Sequence, residues 1–254
     1  AGFDLEVQEY KAGTGTYQNV VGVRKGRGAG TILVGTHYDS YGKSPCANAS
    51  GTGVATVLEL ARKLGREQVD PTVIVGFFGT GEEPHVGEET MGAQVWLDAY
   101  QEEGRATDAA YLIGSFGCFR EGIAGQNSAF PWYLSHPASA DWVGVYGAFT
   151  GRGIVEDTLA QWGRATKLPA RGFAAPHWML GVPNGDQIPF QRAGIPAVLL
   201  SDTGGNRDQE LRKSADVPYV LDYSAMAQRV IALTTLLKSV VTSPLSGEAV
   251  ASAD

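Results

Sequence analysis

The sequence predicts a three-layer α-β-α sandwich around a mixed, mostly parallel central sheet, and three observations lead to it. Two short continuous apolar runs, Thr31 to Thr36 and Val73 to Phe78, have the length of strands buried on both faces. Both runs stop at polar residues, the first at His37 and the second at Gly81-Glu82-Glu83. Stretches with helical spacing alternate with such runs, as in sheets covered by helices on both sides.

Leu5 to Tyr10 alternates like an edge strand, and Gln18 to Val23 returns as its partner across a Gly13-Thr14-Gly15 turn. Ala110 to Ile113 and Ile195 to Leu200 are further strands. Gly53 to Leu64, Glu88 to Glu103, Ile154 to Lys167 and Tyr223 to Val241 carry helical patterns. No repeat or linker interrupts the chain, so residues 1–241 are expected to form a single domain. Residues 242–254 are small and polar and are expected to be a flexible tail.

Of the 254 residues, 43% are hydrophobic and 19% charged, which excludes a disordered or membrane-embedded chain. A net charge of -7 argues against nucleic acid or an anionic membrane as the main partner. No apolar run has the length of a membrane-spanning helix. Cys46 and Cys118 make no disulfide framework, which leaves the compartment open with a slight lean to the cytoplasm.

In sheets of this kind ligands bind at the carboxyl ends of the strands. His37-Tyr38-Asp39, Gly81-Glu82-Glu83 and the segments after Ile113 and Leu200 all fall there. They locate a candidate site from pattern alone.

Several motifs, in order, carry a resemblance. Gly35-Thr36-His37-Tyr38-Asp39-Ser40, then Asn48-Ala49-Ser50-Gly51 before Leu58-Glu59-Leu60-Ala61-Arg62, resemble the opening of the co-catalytic zinc aminopeptidase family. Gly81-Glu82-Glu83-Pro84 with Met91-Gly92 resembles its double-glutamate motif. Ala193-Gly194-Ile195-Pro196-Ala197, Ala215-Asp216-Val217-Pro218 and Leu221-Asp222-Tyr223 resemble its C-terminal part. Relatives include glutaminyl cyclases, the transferrin receptor ectodomain and nicastrin. The resemblance covers residues 1 to 241 and implies a zinc-exopeptidase-like fold. Helices that usually precede the first strand in the family are expected to be missing.

The resemblance implies two-metal hydrolysis, in which two zinc ions share a carboxylate and a water and polarise the scissile carbonyl. Carried over by position, His37 is a metal ligand and Asp39 the carboxylate that orients it. Glu82 is the general base and Glu83 a ligand. Ala47, after Cys46, stands where the bridging aspartate belongs. Tyr111 stands at the strand-end carboxylate, and Arg212 at the second histidine. The family's Ser-Asp-His loop reads Gly185-Asp186-Gln187.

Arginine cannot coordinate zinc and carries a fixed positive charge. An Arg212 that reaches Glu82 or Glu83 would neutralise it without metal. The expectation is therefore a site with no metal cofactor, the alternative being one zinc held by His37 and Glu83. His37, Asp39, Glu82, Tyr111 and Arg212 are the candidate catalytic group. Cys46, His177, Trp178, Asp186 and Gln187 are candidates for lining the substrate pocket. A buried inert thiol is the plainer reading of Cys46, and filling the metal hole the plainer role for Tyr111. His85 reads as a rim histidine and His136 as a loop residue. Asp202, Asp208 and Asp216 replace a lost ligand only if the backbone shifts.

The expected function is a metal-independent enzyme acting on an amino-acid or peptide-like small molecule, with Glu82 as acid or base. The alternatives are an inactive binding or assembly module, with an oligomeric or protein partner, and a mononuclear zinc hydrolase.

Overall fold

The computed structural model describes residues 2–124, 138–175 and 184–242. Its centre is an eight-stranded sheet in the order β1-β2-β4-β3-β5-β10-β8-β9. β1 (Asp4–Ala12) and β2 (Gly15–Arg24) form an antiparallel hairpin. β2 runs antiparallel to β4 (Thr72–Phe78), and β4 runs parallel to β3 (Thr31–His37). β3, β5 (Ala109–Ile113) and β10 (Ala197–Ser201) continue in parallel. Beyond them β8 (Val143–Gly147) turns antiparallel, and β9 (Ala170–Ala174) pairs with it in parallel. β6 (Arg120–Ala124) and β7 (Ser139–Ala140) form a separate two-stranded sheet.

Alternation along the central strands feeds two cores. Ile32 and Val34 of β3 point to one face, where they meet Val57, Leu60 and Leu64 of α1 (Thr52–Leu64). Trp162 of α3 (Arg152–Ala165) and Leu233 and Leu237 of α5 (Tyr223–Val241) complete that layer. Leu33, Ile74 and Leu112 point the other way, onto Trp96 and Leu97 of α2 (Gly92–Glu102) and Phe190 of α4 (Gln187–Arg192). The architecture is thus the three-layer sandwich that the periodicity predicts.

The differences lie at element ends and in the second half of the sheet. α2 begins at Gly92 and not at Glu88, because residues 85–91 are spent on successive turns. Gly92 itself must pack closely: its amide donates to Gly79 O at 3.0 Å, and a Cβ there would run into that same carbonyl. β8, β9 and the six-residue α4 are absent from the sequence reading. β8 and β9 are short and contain glycine, and α4 is too short to show a helical period. Residues 243–254 of the expected tail lie outside the described residues.

Four parallel strands, β4, β3, β5 and β10, end on the same side of the sheet. The ends of β3, β5 and β10 and the loops after β5 and β10, with the turn of π-helix at Ala47–Gly51 that opens α1, line one cleft.

The two faces of α1 should respond differently to truncation. Leu60 is fully buried and Leu58 is 54% exposed. Leu60→Ala is expected to cost about 2–5 kcal/mol in urea unfolding, and Leu58→Ala less than about 0.5 kcal/mol. Equal costs would contradict this placement of the helix.

Candidate active site

The strand-end loops bring four charged side chains into one line. β3 ends on His37, and β4 is followed by Gly79-Thr80-Gly81-Glu82. Gly81 is required there, since a Cβ on it would collide with Cβ of His37. This close approach sets Glu82 beside the imidazole. His37 Nδ1 lies 3.0 Å from Asp186 Oδ2, and its Nε2 is 3.6 Å from Glu82 Oε1, an ion-pair contact longer than a hydrogen bond. Arg212 closes the line from the other side. Its Nε donates to Glu82 Oε1 at 3.0 Å, and its Nη2 stands 2.7 Å from Glu82 Oε2.

The line Asp186–His37–Glu82–Arg212 alternates in sign. Burial opposes charge on His37, but Asp186 and Glu82 outweigh it and raise its pKa to about 10. Glu82 also resists ionisation through burial, yet His37 and Arg212 hold its carboxyl below the ordinary range. Glu82 is 1% exposed, whereas 40% of the Arg212 side chain meets solvent.

Three other carboxylates around the cleft are spent on the backbone. Asp39 accepts from the amides of Gly81 at 2.8 Å and Glu82 at 3.1 Å, and so fixes the turn that carries Glu82. Fully buried Asp216 accepts from the amides of Asn48 at 2.6 Å, Ala49 at 3.3 Å and Arg212 at 3.0 Å. Asp202 accepts from the amides of Gly117, Cys118 and Gly204 and from Ser115 Oγ. Such bonds to an ionised acceptor are the strong ones. They also hold strained backbone, for Arg212 has φ 63° and Cys46 φ 50°, in the left-handed region that disfavours side chains.

The expected site residues therefore separate. His37, Glu82, Arg212 and Asp186 come together. Asp39 does not orient His37; Asp186 occupies that position, from a loop 149 residues away in sequence. Glu83 faces solvent, because successive residues of the turn point oppositely and Glu82 takes the inward direction. Tyr111 lies in the core beside Thr158 of α3, where burial pushes its phenol up to about 12. The pleat explains this: Tyr111 and Ile113 share the face of α1 and α3, and β5 opens onto the cleft only past its end, at Gly114 and Ser115. Cys46 is buried, with its sulfur accepting from Tyr41 N at 3.3 Å, and Gln187 is buried in the first turn of α4. His177, Trp178 and His136 lie outside the described residues. Sequence reasoning missed Ser115 and Ser201, whose hydroxyls line the cleft 3.3 Å apart. Their only signal was their position at strand ends.

The cleft has a volume of about 80 Å³ and is lined by His37, Asp186, Arg212, Ser115 and Ser201, with Ala49, Leu199 and Leu211 as its apolar wall. The cleft's potential metal donors among the described residues are few. His37 is bracketed by two carboxylates, Glu82 is occupied by a guanidinium, and Ala49 and Gly114 offer no ligating side chain. Among the described residues no three His, Cys, Asp or Glu side chains gather as a metal site.

Comparison with known proteins bears on this geometry. Residues 19–129 match peptidase family M28. The uncharacterized protein YfbL of Escherichia coli (strain K12) is 26% identical over 234 residues, which span 88% of this chain and 71% of that protein. Among solved structures, the LapA aminopeptidase of Legionella pneumophila superposes with a TM-score of 0.74 at 16% identity, over 95% of this chain and 60% of that one. BSAP, a zinc aminopeptidase from Bacillus subtilis, gives 0.68 at 18% identity, over 92% of this chain and 52% of that one. The chain thus spans between half and two thirds of these aminopeptidases and shares their fold.

If Arg212 neutralises Glu82, removing either partner should hurt more than removing both. Arg212→Met is expected to cost about 2–4 kcal/mol in urea unfolding, less than a fully buried pair because the arginine is partly exposed. The double variant Glu82→Gln/Arg212→Met should regain at least half of that loss. Additive single effects would show that the two side chains do not depend on each other.

Proposed function

We propose that this chain, with the fold of the M28-type zinc aminopeptidases, works without metal and acts on an amino-acid or peptide-like small molecule in its strand-end cleft. The observation that carries this reading is the contact of Arg212 with both oxygens of buried Glu82, a hydrogen bond to Oε1 and an ion-pair contact to Oε2. A guanidinium cannot ligate a metal, and here it supplies the positive charge that Glu82 needs. The charge line is complete with protein groups alone.

Glu82 is then the group that takes or gives a proton, at Oε1, the oxygen facing His37 Nε2. Arg212 has the exposure to move aside and free that oxygen. His37, held by Asp186, stays fixed while it does so. A general acid or base must reach the substrate's proton directly or through one water, and the cleft wall beside His37 is where the substrate meets this pair.

A second reading is a binding or assembly module that does no chemistry. It is favoured by the same contact, because a base with both oxygens engaged and 1% of its surface exposed is not poised to react.

Two measurements test these readings. Metal analysis of protein purified without chelator or added zinc should find far less than one zinc per chain, and EDTA should leave the Tm unchanged. Stoichiometric zinc would sink the metal-independent reading. Glu82→Gln is expected to abolish turnover that EDTA does not touch, by about a hundredfold or more. Turnover that survives this substitution would remove Glu82 from the chemistry, and a complete lack of turnover in the native chain would select the binding module.

A further inference from the structure

Of the buried charge-line atoms that make no hydrogen bond, His37 Nε2 and Glu82 Oε2 keep ion-pair contacts at 3.6 and 2.7 Å, whereas Asp186 Oδ1 has neither, and an arginine donor of the opposite kind stands at the other end of the line. Arg212 spends Nε and Nη2 on Glu82, and no described residue accepts from its Nη1. Asp186 spends Oδ2 on His37, while its Oδ1 is buried and has no hydrogen-bond partner. Asp186 is 1% exposed, so this oxygen is an acceptor closed off from bulk water. An acceptor left in that state is costly, and a donor brought in by a ligand offsets the cost.

Arg212 and Asp186 both line the cleft, at the two ends of the four-residue line. Ser115 and Ser201 also line it with their hydroxyls, and Ala49, Leu199 and Leu211 give it an apolar wall. Its volume of about 80 Å³ is small. At about 10–15 Å³ for each water-sized group it holds roughly five to eight such groups. That accommodates a free amino acid with a short side chain.

We propose that the cleft is a binding site for a free zwitterionic amino acid with a short apolar side chain, its carboxylate on Arg212 and its ammonium on Asp186 Oδ1. The Nη1 edge of the guanidinium takes the carboxylate. The ammonium gives Asp186 the donor it lacks. The side chain lies against Leu199, Leu211 and Ala49. This inference rests on the metal-independent reading above and narrows it from peptide-like molecules to free amino acids.

The test is calorimetric titration of the full chain with L-alanine and L-valine, each compared with its amide and its N-acetyl derivative, and with L-alanyl-L-alanine. The free amino acids should bind at least about tenfold more tightly than every derivative, since each derivative leaves one charged partner unmatched. An amide or dipeptide that binds as well as the free amino acid would overturn the zwitterion site and leave the peptide-like reading standing. No binding by any member of the panel would overturn both. Arg212→Gln should bring L-alanine down to the level of its amide. Because the comparison among ligands uses the native chain, it decides the question even if that variant does not fold.

Discussion

A carboxylate placed just past the end of a β-strand, with 1% of its surface in solvent, must be neutralised where it stands, and around Glu82 the task falls to His37 and Arg212. The cleft is organised by that requirement. Gly81 has no side chain so that Glu82 comes close to His37, and Arg212 adopts a left-handed backbone to bring its guanidinium over both oxygens. The strain is tolerated because Asp216 accepts the Arg212 amide from beneath. Removing the arginine leaves a buried charge, so the pair ties the loop around residue 212 to β4 across 130 positions of sequence.

Acidic residues near such a cleft invite a reading as metal ligands, but here most serve the backbone. Asp39, Asp202 and Asp216 each collect two or more amide hydrogens. A carboxylate that accepts several such bonds is fixed in orientation and has few lone pairs to offer. The rigid frame they make holds Ser115, Ser201 and Asp186 in place around a small cleft.

Much of the fold was legible because burial on both faces leaves a mark in composition. β3 and β4 are unbroken apolar runs, and α1 and α5 repeat their buried residues at helical spacing. β8, β9 and α4 left no such mark, since they are five or six residues long and their burial is decided by the neighbours they meet. His37 and Glu82 were legible as polar residues that end apolar strands. The partner of His37 was not. Asp39 is near in sequence and Asp186 is distant, and only the path of the loop before α4 decides which carboxylate meets the imidazole. Tyr111 shows the same limit in a strand, where a side chain reaches the cleft or the core according to pleat and strand end.

By itself, then, the sequence determined the long buried strands and helices of the sandwich and the edge of the sheet where polar residues gather, and its resemblance to the zinc aminopeptidases implied an arginine where they carry a histidine. The first two follow from periodicity and from residue chemistry, which are local. The tertiary structure alone decided that Arg212 grips Glu82 and not Glu83, that Asp186 holds His37, and that Gly114 rather than Tyr111 faces the cleft. Those outcomes depend on direction and on distances of a few ångströms between segments far apart in the chain, and no spacing along the sequence encodes them.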